Sequence, residues 1–145
     1  VRAPWFNASM APNGMMQVWS GLLLRVDNEA QLASVIGHEI GHYLQRHSIE
    51  RLRDQRARSA FGSFLSMFGL VGAIGAIATM ASALAFSRDQ ERDADRIAVD
   101  LMRASGHDPR EAAIVWGNLL DELKATPGAD PASNSVLFAT HPPSD

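Results

Sequence analysis

Residues 5–24 alternate loosely between apolar and polar positions, and Pro12-Asn13-Gly14 interrupts them just ahead of Met15-Met16-Gln17-Val18-Trp19. A turn signal beside a short alternating run predicts a hairpin or edge strand near 15–19. The rhythm then changes: Leu32, Val35, Ile36, Ile40, Tyr43 and Leu44 recur at helical spacing. That pattern predicts a long helix with one buried face, running to about Arg53. Asp27 or Asn28 caps its start, and Asn28 with Gln31 three residues on resembles a capping box.

The stretch 60–86 carries no charged residue, and its length alone makes it a candidate for crossing a membrane. If its two flanks contribute to one site, however, a single crossing would separate them. A double crossing would need roughly 40 apolar residues. Glycines at 62, 69, 72 and 75 favour one or two short helices, packed internally or lying at an interface. Ser87 is placed to cap a further helix over about 88–105, which Gly106 ends as a left-handed stop. Asp108-Pro109 opens another over about 109–124, with proline at its first position. Residues 126–135 read as a Pro/Gly/Ser linker, and 136–145 as a short irregular tail. No internal repeat is visible.

Composition narrows the chemistry. The chain has 145 residues, 46% of them hydrophobic and 20% charged, which fits one globular domain spanning 1–145. A net charge of −3 and basic residues that form no stripe with interleaved aromatics argue against a nucleic-acid partner. The absence of cysteine removes thiolate metal sites, cysteine nucleophiles and disulfides together, so a metal here needs histidine and carboxylate ligands. Val1-Arg2-Ala3-Pro4 lacks a basic start followed by an apolar run. With the stop after His141-Pro142-Pro143-Ser144-Asp145, this suggests a trimmed piece of a longer chain.

His38-Glu39-Ile40-Gly41-His42 is an H-E-x-x-H sequence within the predicted helix. Four residues advance a helix by about 400°, so both imidazoles project from one face a turn apart and suit a single ion. Glu39 lies about 100° around from His38, close enough to manage the proton of a water activated by the ion without ligating it. A catalytic zinc ordinarily takes a third protein ligand. A third histidine six residues after His42 is excluded, because Ser48 stands there. His47 falls about 140° from the ligand face and reads as a surface or packing histidine. Glu91, with Asp95 one turn on, offers a carboxylate ligand and an acceptor for a ligand histidine's ring N–H. The same residues also suit a solvated face of ion pairs with Arg88 and Arg92.

Taken together, Asn7-Ala8, Pro12-Asn13-Gly14, Ser20-Gly21-Leu22-Leu23, Asp27-Asn28-Glu29, Val35 through His42, Phe86-Ser87-Arg88 with Glu91 and Ala94-Asp95, and Thr140-His141-Pro142 occur in a recognisable order. The chain resembles, over nearly its whole length, the zinc metallopeptidases grouped with HtpX, the Oma-type proteases and the CAAX prenyl proteases, particularly soluble bacterial envelope members such as BepA and LoiP. The resemblance implies a mainly α (α+β) zincin-like domain with a small β edge element. It makes Glu91 the third zinc ligand and Asp95 its outer partner. It aligns 7–19 with an edge strand along the cleft, where Ala8 and Met10 would meet an extended substrate. It also gives His141 a place near the zinc, either occupying the open position or donating to the oxyanion.

The function so implied is a zinc-dependent endopeptidase acting on unfolded or misassembled cell-envelope proteins, in a bacterial periplasm or envelope. Its partners are protein or peptide substrates, with a membrane surface as an open partner for 60–86. The rival reading is a zinc-stabilised, chaperone-like interaction module whose proteolysis is weak or held off by His141.

Overall fold

The computed structural model describes residues 1–4, 6–66 and 88–125, excepting the side chains of 61–66 and 123–125. Strand β1 (Ala8–Met10) pairs antiparallel with β2 (Met16–Val18), in the register Ala8↔Val18, Ser9↔Gln17, Met10↔Met16. The expected turn joins them. Gly14 adopts φ 85°, and the backbone closes through Ala11 N–H to the Met15 carbonyl and Gly14 N–H to the Ala11 carbonyl, both at 2.9 Å. A single helical turn, α1 (Ser20–Leu23), follows.

Helix α2 (Glu29–Leu44) starts at Asn28, whose side chain accepts the Gln31 N–H at 2.9 Å. The return bond of the capping pair goes one residue further back, from Asp27 N–H to Gln31 Oε1 at 2.9 Å. Gln31, almost fully buried, also donates to Glu111 Oε2 at 3.0 Å, and Asn28 donates to the same oxygen at 3.1 Å. The cap therefore doubles as a tie to α5 (Arg110–Ala125).

Two expectations for this region are corrected. The most buried face of α2 is Gln31, Ser34, Val35, Gly37, His38, Glu39, Gly41 and His42, whereas Tyr43 and Leu44 are exposed. Small and polar residues turn inward because the face carries chemistry and a close helix contact. Nor does the helix continue to Arg53. It stops at Leu44, Arg46 takes a left-handed φ of 56°, and α3 (His47–Ser66) begins afresh. Arg46 N–H bonds the Tyr43 carbonyl at 3.0 Å, and the Arg46 carbonyl accepts the first turn of α3 from Ile49 and Glu50.

Helix α4 spans 88–104. Gly106 at φ 80° ends it, with His107 N–H reaching back to the Met102 carbonyl at 2.9 Å, the predicted left-handed stop. Asp108 Oδ1 then accepts the Arg110 N–H at 3.0 Å to open α5, within a residue of the expected start. Helices α2 and α4 approach through small residues: a Cβ on Gly37 would lie 3.2 Å from Ala98 Cα, and one on Gly41 would lie 2.8 Å from Ala94 Cα. Phe6, Ala8, Leu22, Val35, Val115 and Leu119 form the core under the hairpin, α2 and α5.

The helix α3 continues through Ser66, so the start of the uncharged stretch prolongs an existing helix. The rest of 60–86, the Ser87 cap, the linker, the tail and His141 lie outside the described residues. No helix among the described residues is long and apolar enough to cross a membrane.

Candidate metal centre

Because α2 and α4 touch at Gly41 and Ala94, residues 91 and 95 of α4 reach the imidazoles of α2. His38 Nε2 and His42 Nε2 stand 3.1 Å apart, and Glu91 Oε2 lies 3.3 Å from the first and 3.4 Å from the second. All three residues are buried. An ion bonded tetrahedrally at about 2.0–2.1 Å separates its donors by roughly 3.3 Å. The triangle of donors thus fits such an ion, and two imidazoles with one carboxylate are a donor set that suits zinc.

Each of the three candidate donors is held from behind. His38 Nδ1 lies 2.9 Å from Asp95 Oδ1. His42 Nδ1 lies 2.9 Å from His47 Nδ1. Arg51 Nη2 donates to Glu91 Oε1 at 2.6 Å, while Arg51 Nε donates to Gln90 Oε1 at 2.8 Å. Arg51 thus holds Oε1 of Glu91, while Oε2 faces the imidazoles. Burial alone would depress the His38 pKa, but the Asp95 and Glu91 carboxylates outweigh it and push the value up to about 9. The metal-free site is consequently a buried imidazolium between two acids. Burial lowers the pKa of His47, which favours a neutral ring there.

Glu39 is 3% exposed, next to His38 on the inward face of α2. Met10 lines an open cavity of about 430 Å³ beside the centre, with Pro12, His42, Leu44, Arg46 and Ile49 among the other walls. Ala8 sits elsewhere: its side chain is 1% exposed and belongs to the core, and it is not among that cavity's walls. The structure brings His38, His42, Glu91 and Asp95 together as expected.

Three contributors escaped the sequence. His47, expected as a surface or packing histidine, is buried, and the break at Arg46 returns it to His42. Arg51, one turn past His47, was legible only once that break was known. Trp116 of α5 stacks edge-on to His38 with centroids 6.2 Å apart, and nothing in its own neighbourhood marked it.

A sequence profile described as Peptidase family M48 matches residues 1–145. The chain is 34% identical to the mitochondrial metalloendopeptidase OMA1 of Arabidopsis thaliana, over 82% of this chain and 24% of that protein. It is 33% identical to the beta-barrel assembly-enhancing protease of Escherichia coli K12, over 94% of this chain and 29% of that protein. With the metalloprotease YcaL of Escherichia coli K12 it shares 29% identity, over 95% of this chain and 54% of that protein. The chain thus spans between about a quarter and about half the length of these relatives.

Proposed function

The chain belongs to peptidase family M48, and from that premise we propose that it is a zinc-dependent endopeptidase acting on unfolded or misassembled proteins of a bacterial cell envelope. The observation that carries the chemistry is the triangle of His38, His42 and Glu91 donors, with edges of 3.1, 3.3 and 3.4 Å. Zinc bound there supplies a Lewis acid that brings the pKa of a water down to about 7. Glu39 takes the proton as the water attacks the peptide carbonyl, then delivers it to the departing amine nitrogen. His38 and His42 stay neutral and fixed, their outer ring nitrogens engaged by Asp95 and His47. The hairpin offers strand pairing to an extended substrate, a mode that favours unfolded chains because backbone groups make the bonds. Met10 and the cavity it lines receive a neighbouring side chain. The envelope setting draws support from relatives named for β-barrel assembly. The mitochondrial relatives mark the main alternative compartment.

The test is Glu39→Gln. The variant keeps one zinc per chain and loses cleavage of casein by at least about a hundredfold, the scale of general-base catalysis. Undiminished cleavage would remove Glu39 from the mechanism.

A further inference from the structure

On an unbroken helix, a side chain five residues past His42 would point about 140° away from it. Instead His47 Nδ1 stands 2.9 Å from His42 Nδ1, the ring centroids are 5.0 Å apart at an interplanar angle of 72°, and His47 is 4% exposed. The difference is made at Arg46, a non-glycine residue in the left-handed region at φ 56°. Such a conformation is uncommon for a residue with a side chain and persists where its surroundings demand it. Here it ends one helix and starts the next so that His47 turns back onto a ligand.

The contact is nitrogen to nitrogen, so only one of the two Nδ1 atoms carries the proton between them. A neutral imidazole that ligates through Nε2 bears its proton on Nδ1. His42 presents Nε2 to His38 and Glu91, and its Nδ1–H therefore has His47 Nδ1 as acceptor. We infer that His47 is the positioning residue of the ligand His42, accepting its Nδ1–H and thereby fixing both the tautomer and the plane of the ring. Asp95 does the same for His38 from α4. The two ligand histidines are held from different helices by different chemistry, a carboxylate for one and an imidazole for the other. The inference rests on reading His38, His42 and Glu91 as a metal centre.

Two measurements on the full chain decide it. In the zinc-loaded protein labelled with ¹⁵N-histidine, long-range ¹H–¹⁵N spectra show His42 protonated on Nδ1 and His47 protonated on Nε2 alone. A His47 protonated on Nδ1, or on both nitrogens, overturns the inference. The second measurement is zinc affinity by competition with a chromogenic chelator. His47→Leu weakens zinc by about 10- to 100-fold, the usual consequence of losing a ligand's outer partner. His47→Asn, whose amide oxygen can take the place of Nδ1, stays within about threefold of the native chain, a preference for the acceptor that a mere packing role does not predict. Native affinity in His47→Leu overturns the inference while leaving the metal centre intact. A native chain that fails to bind zinc overturns the metal centre itself, and the inference with it. If His47→Leu does not fold, the tautomer spectra of the native chain decide alone.

Discussion

A Cβ built on Gly41 would lie 2.8 Å from the Cα of Ala94 and 2.9 Å from its carbonyl oxygen. Those are backbone atoms and cannot rotate aside, so this contact sets how near α4 comes to α2. Glu91 sits one turn before Ala94 on α4, and its distance to the imidazoles depends on the same approach.

Gly41→Ala is therefore expected to push α4 outward and loosen the donor triangle. Alanine gains about 1 kcal/mol over glycine as a helix former, but overpacking typically costs 1–3 kcal/mol. The net loss in urea unfolding is about 1 kcal/mol, with zinc affinity down by at least about tenfold, in line with losses seen when ligand placement is disturbed. At Gly37 the nearest atom is 3.2 Å away, and helix propensity should nearly cancel the strain. Native zinc affinity in Gly41→Ala would show that α4 is positioned by something else.

Removing the metal should leave a protein that weakens on the alkaline side. The His38 pKa of about 9 in the folded, metal-free state exceeds the ordinary value near 6.5. A raised pKa contributes stability that is complete below about 6.5 and is lost as pH climbs through 9. The contribution is roughly 3 kcal/mol at about 1.4 kcal/mol per pKa unit. His47, lowered by burial, acts oppositely: its contribution is present above about 6.5 and fades on acidification. Zinc must displace the His38 proton, so loading at pH 7.5 releases a proton. Calorimetry in buffers of different ionisation enthalpy counts it, and a count of zero would contradict the assignment.

Arg51→Met should cost more without zinc than with it. The substitution leaves the Glu91 carboxylate, 3% exposed, without its guanidinium. Breaking a fully buried pair costs 3–5 kcal/mol, and the partial exposure of Arg51 lowers that to about 2 kcal/mol. A bound cation compensates the carboxylate in its place. Equal destabilisation of the two forms, measured by urea unfolding, would rule out this account.

The features legible in the sequence were those with local physical signatures. Asn28 marks a helix start because its side chain satisfies an end donor, Gly106 marks a stop because glycine tolerates positive φ, and His38 with His42 share a face by helical spacing alone. Glu91 was visible as a carboxylate one turn from Asp95, though only the resemblance singled it out from an ordinary acidic face. The break at Arg46 was hidden because neither glycine nor proline occupies it; tertiary contacts impose a conformation that arginine does not favour. The reading of an unbroken helix therefore misplaced His47 and left Arg51 unremarked. The buried face of α2 was misjudged for a related reason. Apolar periodicity ranks Tyr43 and Leu44 as core, but a helix built around a polar centre turns its small and ionisable residues inward.

Asp95 differs from the group it holds in one respect: its side chain is 49% exposed, while that of His38 is 5% exposed. The imidazole at the heart of the domain is thus a single hydrogen bond from bulk solvent. The proton that Asp95 holds is the one on Nδ1, which stays in place when an ion takes Nε2, so solvent wets the anchor of this histidine while the ring itself stays buried.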